Sequence, residues 1–224
     1  MPLLPDLVLF DCDGVLVDSE RLTNRVIHYN LKARGLFVPE EEIITLFVGG
    51  TMQGVYETAR ARGAVLEPDW VARIYEEVFA ALAKDVTPIP GIVEVLDWLD
   101  QAAIPYAVCS NGPHAKMDVT LARCGLKARF EGRIYSREDV TTPKPAPDVY
   151  LLAAQRAGIA PARCVVIEDS PNGATAGKAA GMYTLGYCAD MPAARLAPIC
   201  DQLFEDMRAL PAILKCPTHP RAVT

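Results

Sequence analysis

Leu7-Val-Leu-Phe-Asp-Cys-Asp-Gly14 opens with four apolar residues that do not alternate and closes with two acids and a glycine. An unbroken apolar run of this length predicts a strand buried on both faces, with acids delivered to its carboxyl end. Four later runs repeat the form: Pro105-Tyr-Ala-Val-Cys109, Gly132-Arg-Ile-Tyr135, Cys164-Val-Val-Ile167 and Met182-Tyr-Thr-Leu185. Helix signals lie between them, at Ile92 to Ala103, His114 to Cys124, Pro147 to Ala157 and Asn172 to Ala180, the last three each closed by a glycine. Strands alternating with helices require right-handed crossovers, and so predict an α/β fold with a Rossmann-like, mostly parallel sheet.

Ser19 to Asp85 interrupts this alternation, with helical stretches in succession and no convincing strand. Ser19 is placed to cap a helix whose apolar residues Leu22, Val26, Ile27, Tyr29 and Leu31 recur at helical spacing until Gly35. Pro39 to Phe47 begins with an acidic first turn, and Glu67 to Lys84 carries an apolar stripe through Val71, Ile74, Val78 and Leu82. The expected division is a core of residues 1–17 and 88–224 with an inserted helical domain over 18–87. The chain re-enters the core through the stiff Thr87-Pro-Ile-Pro-Gly91.

Composition narrows the function. In 224 residues, 51% are hydrophobic, enough to bury a sizeable core. The net charge is −6 and the basic residues are scattered, which argues against nucleic acid and favours a small-molecule ligand. Seven cysteines without a C-x-x-C pair predict neither a disulfide framework nor a zinc site, and fit a reducing cytoplasm. Met1 to Phe10 lacks a basic start and no apolar run approaches the roughly 20 residues that span a bilayer, so no membrane partner is expected.

The chemistry is carried by residues at predicted strand ends. Asp11 and Asp13 stand two apart, and in extended geometry their carboxylates would leave the same side and repel unless a divalent cation relieved them. Taken alone, Asp-Cys-Asp-Gly reads equally well as a turn. A second strand ends in Cys109-Ser-Asn-Gly112, where a hydroxyl and amides at a strand-to-helix junction can hold phosphate oxygens, although Ser110 could equally be a helix cap. Lys144 lies in Thr142-Pro-Lys-Pro-Ala-Pro147, whose prolines restrict the backbone and could aim one ammonium at a fixed point. The fourth strand ends in Glu168-Asp169-Ser170, again placing acids where open α/β sheets bind ligands. Cys12, Cys109 and Cys164 lie in or beside these strands and read as core fillers.

The ordered set Asp-x-Asp, Ser, Lys and Glu-Asp resembles the four motifs of the haloacid dehalogenase superfamily, and the helical insertion resembles its type I cap. The resemblance implies that Asp11 is a nucleophile that forms an aspartyl phosphate, and that Asp13 is the acid and base, with a pKa tuned towards neutrality. It further implies Mg²⁺ held by the Asp11 side chain, the Asp13 carbonyl and Asp169, with Glu168 nearby, while Ser110, the Asn111 amide and Lys144 neutralise the transferring oxygens. Because the second acid is present, dehalogenation is not expected. Asp11 to Glu20, Lys144-Pro-Ala-Pro-Asp148 and Glu168-Asp-Ser170 are similar to the β-phosphoglucomutase-like branch, which holds both phosphatases and mutases.

Mutases of that branch carry a cap-loop arginine and a histidine ten residues beyond the second Asp. Here that position is Thr23, and Val48-Gly-Gly-Thr-Met-Gln-Gly54 has no arginine, so hydrolysis is expected. Ser110 to Met117 and Cys188-Ala-Asp190 are similar to 6-phosphogluconate phosphatase-type members, pointing to a sugar phosphate or sugar-acid phosphate. Thr51, Gln53, His114 and Lys116 are the candidates for substrate specificity. A phosphosugar mutase and a non-catalytic binding protein on the same scaffold are the alternatives.

Overall fold

The computed structural model describes residues 4–40, 42–43, 52–189 and 191–215. In chain order the elements are β1 (Leu7–Phe10), α1 (Ser19–Ala33), α2 (Met52–Ala61), α3 (Trp70–Asp85), α4 (Ile92–Gln101), β2 (Tyr106–Ser110), α5 (His114–Arg123), β3 (Ile134–Ser136), α6 (Asp148–Ala157), β4 (Cys164–Glu168), α7 (Pro171–Ala179), β5 (Tyr183–Tyr187), α8 (Ala193–Leu196), β6 (Gln202–Phe204) and α9 (Leu210–Lys215). The strands form one parallel sheet in the order β3-β2-β1-β4-β5-β6. The order runs outward from β1 to β3 and then restarts at β4 on the other side of β1. Loops leaving β1 and β4 therefore diverge, and a crevice opens at their carboxyl ends.

Both faces of the sheet are covered, which is why the strands read as unbroken apolar runs. Val8, Phe10, Tyr106, Val108, Val165 and Ile167 pack into one core with Leu96 and Leu99 of α4 and Met117 and Leu121 of α5. Leu7, Leu9, Ala107, Cys109, Cys164 and Val166 pack on the opposite face with Val149, Tyr150 and Ala153 of α6 and Ala176 of α7. Complete burial of side chains such as Phe10 and Leu9 stabilises the fold by roughly 1.5–3 kcal/mol each. α7 approaches the sheet very closely: a Cβ on Gly177 would lie 2.7 Å from Thr184 Oγ1 and 3.1 Å from Val166.

The five expected strands are present, within one or two residues of their expected bounds. β6 is a sixth that the sequence did not announce, because it is a three-residue edge strand with Gln202 and Leu203 only half-buried.

Between β1 and α4 the elements are helical. α3 buries Trp70, Ile74, Val78 and Leu82 at four-residue spacing, starting three residues later than expected. α1 meets it through a buried polar relay, in which Trp70 Nε1 donates to Asn30 Oδ1 at 2.7 Å and Asn30 Nδ2 donates to Glu77 at 2.8 Å. Two details of α1 differ from expectation. Tyr29 points outward, 59% exposed, because the buried stripe follows Ile27 and Leu31 instead. Ser19 is the first helical residue and not the cap; Asp18 holds that position, and the Ser19 hydroxyl donates to Asp13.

Of the helix expected over Pro39 to Phe47, residues 40, 42 and 43 are helical and 44–47 lie outside the described residues. Met52–Gly54 open α2 instead of continuing a loop.

The helical segment leaves and returns through adjacent strands of chain. Val17 bridges Pro88 in antiparallel fashion, Asp18 N donates to Thr87 O at 2.9 Å, and Ile89 N donates to Leu16 O at 3.0 Å. No helix among the described residues is long and apolar enough to cross a membrane.

Candidate active site

Asp11 follows the last residue of β1, and its N–H donates to Ile167 O at 3.0 Å, so the parallel ladder continues far enough to fix it against β4. Its carboxylate meets Lys144. The Lys144 ammonium donates to Asp11 Oδ1 at 2.6 Å, Glu168 Oε1 at 2.6 Å and Cys109 O at 2.7 Å, using its full donor capacity on the ends of β1, β4 and β2. The Lys144 backbone is clamped as well: its N–H donates to Asn111 Oδ1 at 2.9 Å, and Asn111 Nδ2 donates to Lys144 O at 3.0 Å. The Asn111 side-chain amide therefore aims the lysine.

Glu168 is fully buried and saturated. Oε1 also accepts from Tyr150 OH at 2.7 Å, while Oε2 accepts from Ser170 N at 3.2 Å and Ser170 Oγ at 3.0 Å. Its place exists only because residue 173 is glycine, since a Cβ there would lie 1.7 Å from Oε1. Asp169 lies across from Gly14, whose φ of +74° and lack of a side chain let the loop pass; a Cβ would sit 1.9 Å from Asp169 Oδ2.

Ligand atoms of Asp11, Glu168 and Asp169 all lie within 4.8 Å of one another. Burial raises the Asp11 carboxyl to about 7, with Lys144 opposing and Glu168 and Asp13 adding to the rise. Burial likewise lifts Asp169 well above the usual carboxylate range, reinforced by Glu20, Glu168, Asp11 and Asp13. Burial alone would lower Lys144, but Asp11 and Glu168 outweigh it and hold the ammonium charged. When ionised, three acids against one lysine would leave an excess of negative charge in a buried pocket. A hard divalent cation on oxygen ligands fits that excess. Since Glu168 is already occupied by protein donors, Asp11 and Asp169 are the better placed to hold it.

Asp13 is drawn elsewhere. Its Oδ1 accepts from Lys116 Nζ at 2.7 Å and from the Ser19 hydroxyl. The expectation that the Asp11 and Asp13 carboxylates share one cation is thus corrected: the strand ends at Phe10, the chain turns at Gly14, and each acid has its own lysine. The expected neutral tuning of Asp13 is also corrected. Burial pushes it up, but Lys116 and Ser19 outweigh burial and hold it below its ordinary value.

Ser110 is buried at the end of β2, with its Oγ accepting from Gly112 N at 2.9 Å. An ideal Cβ on Gly112 would stand 3.3 Å from Ser110 Oγ, 3.6 Å from Asp13 Oδ2 and 3.8 Å from Lys116 Cδ, so these groups converge on one point. The structure therefore gathers positions 11, 168 and 169 together, with Lys144 on the first two, and positions 13, 110 and 116 around Gly112.

The remaining specificity candidates fall away from this centre or outside it. His114 Nε2 pairs with Asp139 at 2.9 Å and its N–H donates to Glu138 at 2.9 Å, tying the start of α5 to the β3 loop. Gln53 is exposed on α2 and donates to Glu57 at 3.0 Å, one turn along the same helix. Thr51 lies outside the described residues. Burial pushes the Cys12 and Cys109 thiols far up, in keeping with core packing.

Sequence reading missed Tyr150, Ser136 and Gly173. Ser136, buried at the end of β3, donates to Gly112 O at 2.8 Å and could have been found by the strand-end rule applied to Ser110. Tyr150 sits on a helix face among apolar residues and gave no signal.

The haloacid dehalogenase-like hydrolase family model matches residues 5–181. Hexitol phosphatase A of Escherichia coli (strain K12) is 34% identical over 84% of this chain and 85% of its own length. The 6-phosphogluconate phosphatase of the same organism is 28% identical over 83% of each. A HAD family hydrolase from Deinococcus radiodurans R1, solved with bound phosphate and sodium, superposes with a TM-score of 0.83 at 36% identity, covering 93% of this chain and 94% of that one. With that breadth of match across fold and sequence, the chain belongs to the haloacid dehalogenase-like hydrolase family, as a phosphoric monoester hydrolase.

Proposed function

We propose that this enzyme is a Mg²⁺-dependent phosphatase of sugar phosphates or sugar-acid phosphates that works through Asp11. The single observation that carries the reading is the gathering of Asp11, Glu168 and Asp169 at the β1/β4 crevice, with Lys144 donating to the first two. The phosphatase relatives, acting on a hexitol phosphate and on 6-phosphogluconate by their names, support this substrate class. We further propose a catalytic core of residues 1–17 and 88–224 under a helical cap of 18–87, hinged where Val17 and Pro88 pair. The described cysteines are all unpaired, in keeping with a cytoplasmic setting.

Asp11 and Asp169, with the Asp13 carbonyl, would hold Mg²⁺, which when bound supplies charge neutralisation for an approaching phosphate. Asp11 Oδ attacks phosphorus as the bond to the substrate oxygen breaks, giving an aspartyl phosphate. The leaving alkoxide takes a proton from Asp13. In the second half, Asp13 takes a proton from water as the water oxygen attacks phosphorus, and the Asp11 carboxylate leaves with inorganic phosphate formed.

A phosphate dianion beside Asp13 raises that group's proton affinity, offsetting the depression caused by Lys116. Ser110 accepts from Gly112 and so keeps its own hydroxyl proton to donate to a phosphate oxygen, while Lys144 balances the charge on the other side. Asn111 serves by fixing Lys144.

Asp11→Asn is the test. It should abolish Mg²⁺-dependent phosphate release across a panel of sugar phosphates and sugar-acid phosphates while the protein stays folded; retained turnover would defeat the assignment.

A further inference from the structure

We propose that Lys116 is a positioning residue for Asp13: with Ser19 it pins one carboxyl oxygen, so that the other is the oxygen that exchanges the proton during hydrolysis. The inference rests on the reading of Asp13 as acid and base, and adds the device that orients it.

Among the described residues, both side-chain donors to the Asp13 carboxylate use Oδ1. Lys116 Nζ does so at 2.7 Å from the first turn of α5, and Ser19 Oγ does so from the first residue of α1. Two donors on one oxygen, rooted in different helices, fix the plane of the carboxyl group more tightly than either alone. The second oxygen is engaged by neither of these donors. Oδ2 lies 3.6 Å from the ideal Cβ position of Gly112, beside Ser110 Oγ at 3.3 Å from that same point. It therefore faces the end of β2, where a phosphate oxygen and its leaving group would sit.

The Lys116 stem passes 3.8 Å from the same Cβ position, so the lysine, the serine and the acid all border residue 112. Lys116 also differs from Lys144 in what it can reach. Its side chain is 21% exposed and that of Asp13 23%, so the pair borders the open side of the site, where the leaving group departs.

A positioning role makes a prediction that a substrate-binding role does not. An alkoxide leaving group needs the proton from Asp13, whereas p-nitrophenolate leaves without one. In Lys116→Met, kcat/KM for a sugar phosphate and a sugar-acid phosphate should fall by about tenfold or more beyond any fall for p-nitrophenyl phosphate, with the KM of the two sugar substrates little changed. Lys116→Arg should restore most of the loss. Ser19→Ala, which removes the other donor to the same oxygen, should show a smaller loss with the same dependence on leaving group, and serves if Lys116→Met fails to fold.

Equal losses for all three substrates would overturn the proposal, as would a KM rise confined to the sugar-acid phosphate, which would make Lys116 a ligand of the substrate carboxylate. Asp11→Asn is assayed alongside. If it retains activity, the hydrolytic reading fails; if it is inactive while Lys116→Met matches the wild type, this inference alone fails.

Discussion

Two lysine–carboxylate pairs serve the same crevice in different surroundings. Lys144 is 3% exposed and meets Asp11 and Glu168 at 12% and 0%, whereas Lys116 and Asp13 are each more than a fifth exposed. The first pair is locked on every side, by Asn111 on the lysine backbone, by Tyr150 and Ser170 on Glu168, and by the Cys109 carbonyl. The second has two donors on one oxygen and an open border. A nucleophile must be held still against the phosphorus it attacks, while an acid that gains and loses a proton must remain reachable. The difference in burial separates those two tasks between two acids that stand two positions apart.

The sharpest way to break the comparison is to remove each ammonium in turn. Lys144→Met leaves buried carboxylates without their partner and should destabilise the fold by about 3–5 kcal/mol. Lys116→Met should cost less, because its pair is only half-buried and Asp13 keeps the Ser19 donor. Denaturant unfolding of both variants checks this, and equal costs would erase the distinction.

A smaller effect follows from pH. Asp11 is raised from 3.8 to about 7, so its protonated form is favoured in the folded state. The metal-free protein should therefore hold this contribution in full below about pH 4 and lose it as pH rises through about 7, on the order of a few kcal/mol. Thermal melts in a chelator should show the decline, added Mg²⁺ should offset it most at the alkaline end, and Asp11→Asn should shrink it to the part that Asp169 contributes.

The smallest effect is structural. Gly173→Ala places a methyl where the Glu168 carboxylate lies and should cost roughly 1–3 kcal/mol by overpacking. Turnover should fall with it because Lys144 loses its fixed acceptor, although residue 173 touches no substrate. A stable variant with full activity would show that Glu168 can shift without consequence.

The sheet was legible because its strands are buried on both faces and so leave uninterrupted apolar runs from Leu7 to Phe10 and from Cys164 to Ile167. β6 was not, because a short edge strand needs no such run. Asp11, Ser110, Glu168 and Asp169 could be found because chemistry in this sheet sits at strand ends, a position visible in one dimension, and Lys144 because prolines frame it in the loop beyond β3.

What holds those residues was hidden. Tyr150 and Gly173 act through contacts between elements far apart in the chain, and their local sequence fits ordinary helix packing. The pairing of Asp13 with Lys116, 103 residues away, is of the same kind. Spacing along a strand suggested that Asp11 and Asp13 would share a cation, and only the turn at Gly14 shows why each takes its own lysine.

Transfer of the phosphoryl group to Asp11 is the central step of the proposed reaction. Rapid acid quenching of the enzyme during turnover of a sugar phosphate with Mg²⁺, followed by peptide mass mapping, tests it in one step. One phosphoryl group on the Asp11 carboxylate is the predicted result; label on another residue, or turnover with no labelled protein under conditions where the acyl phosphate survives, would contradict it.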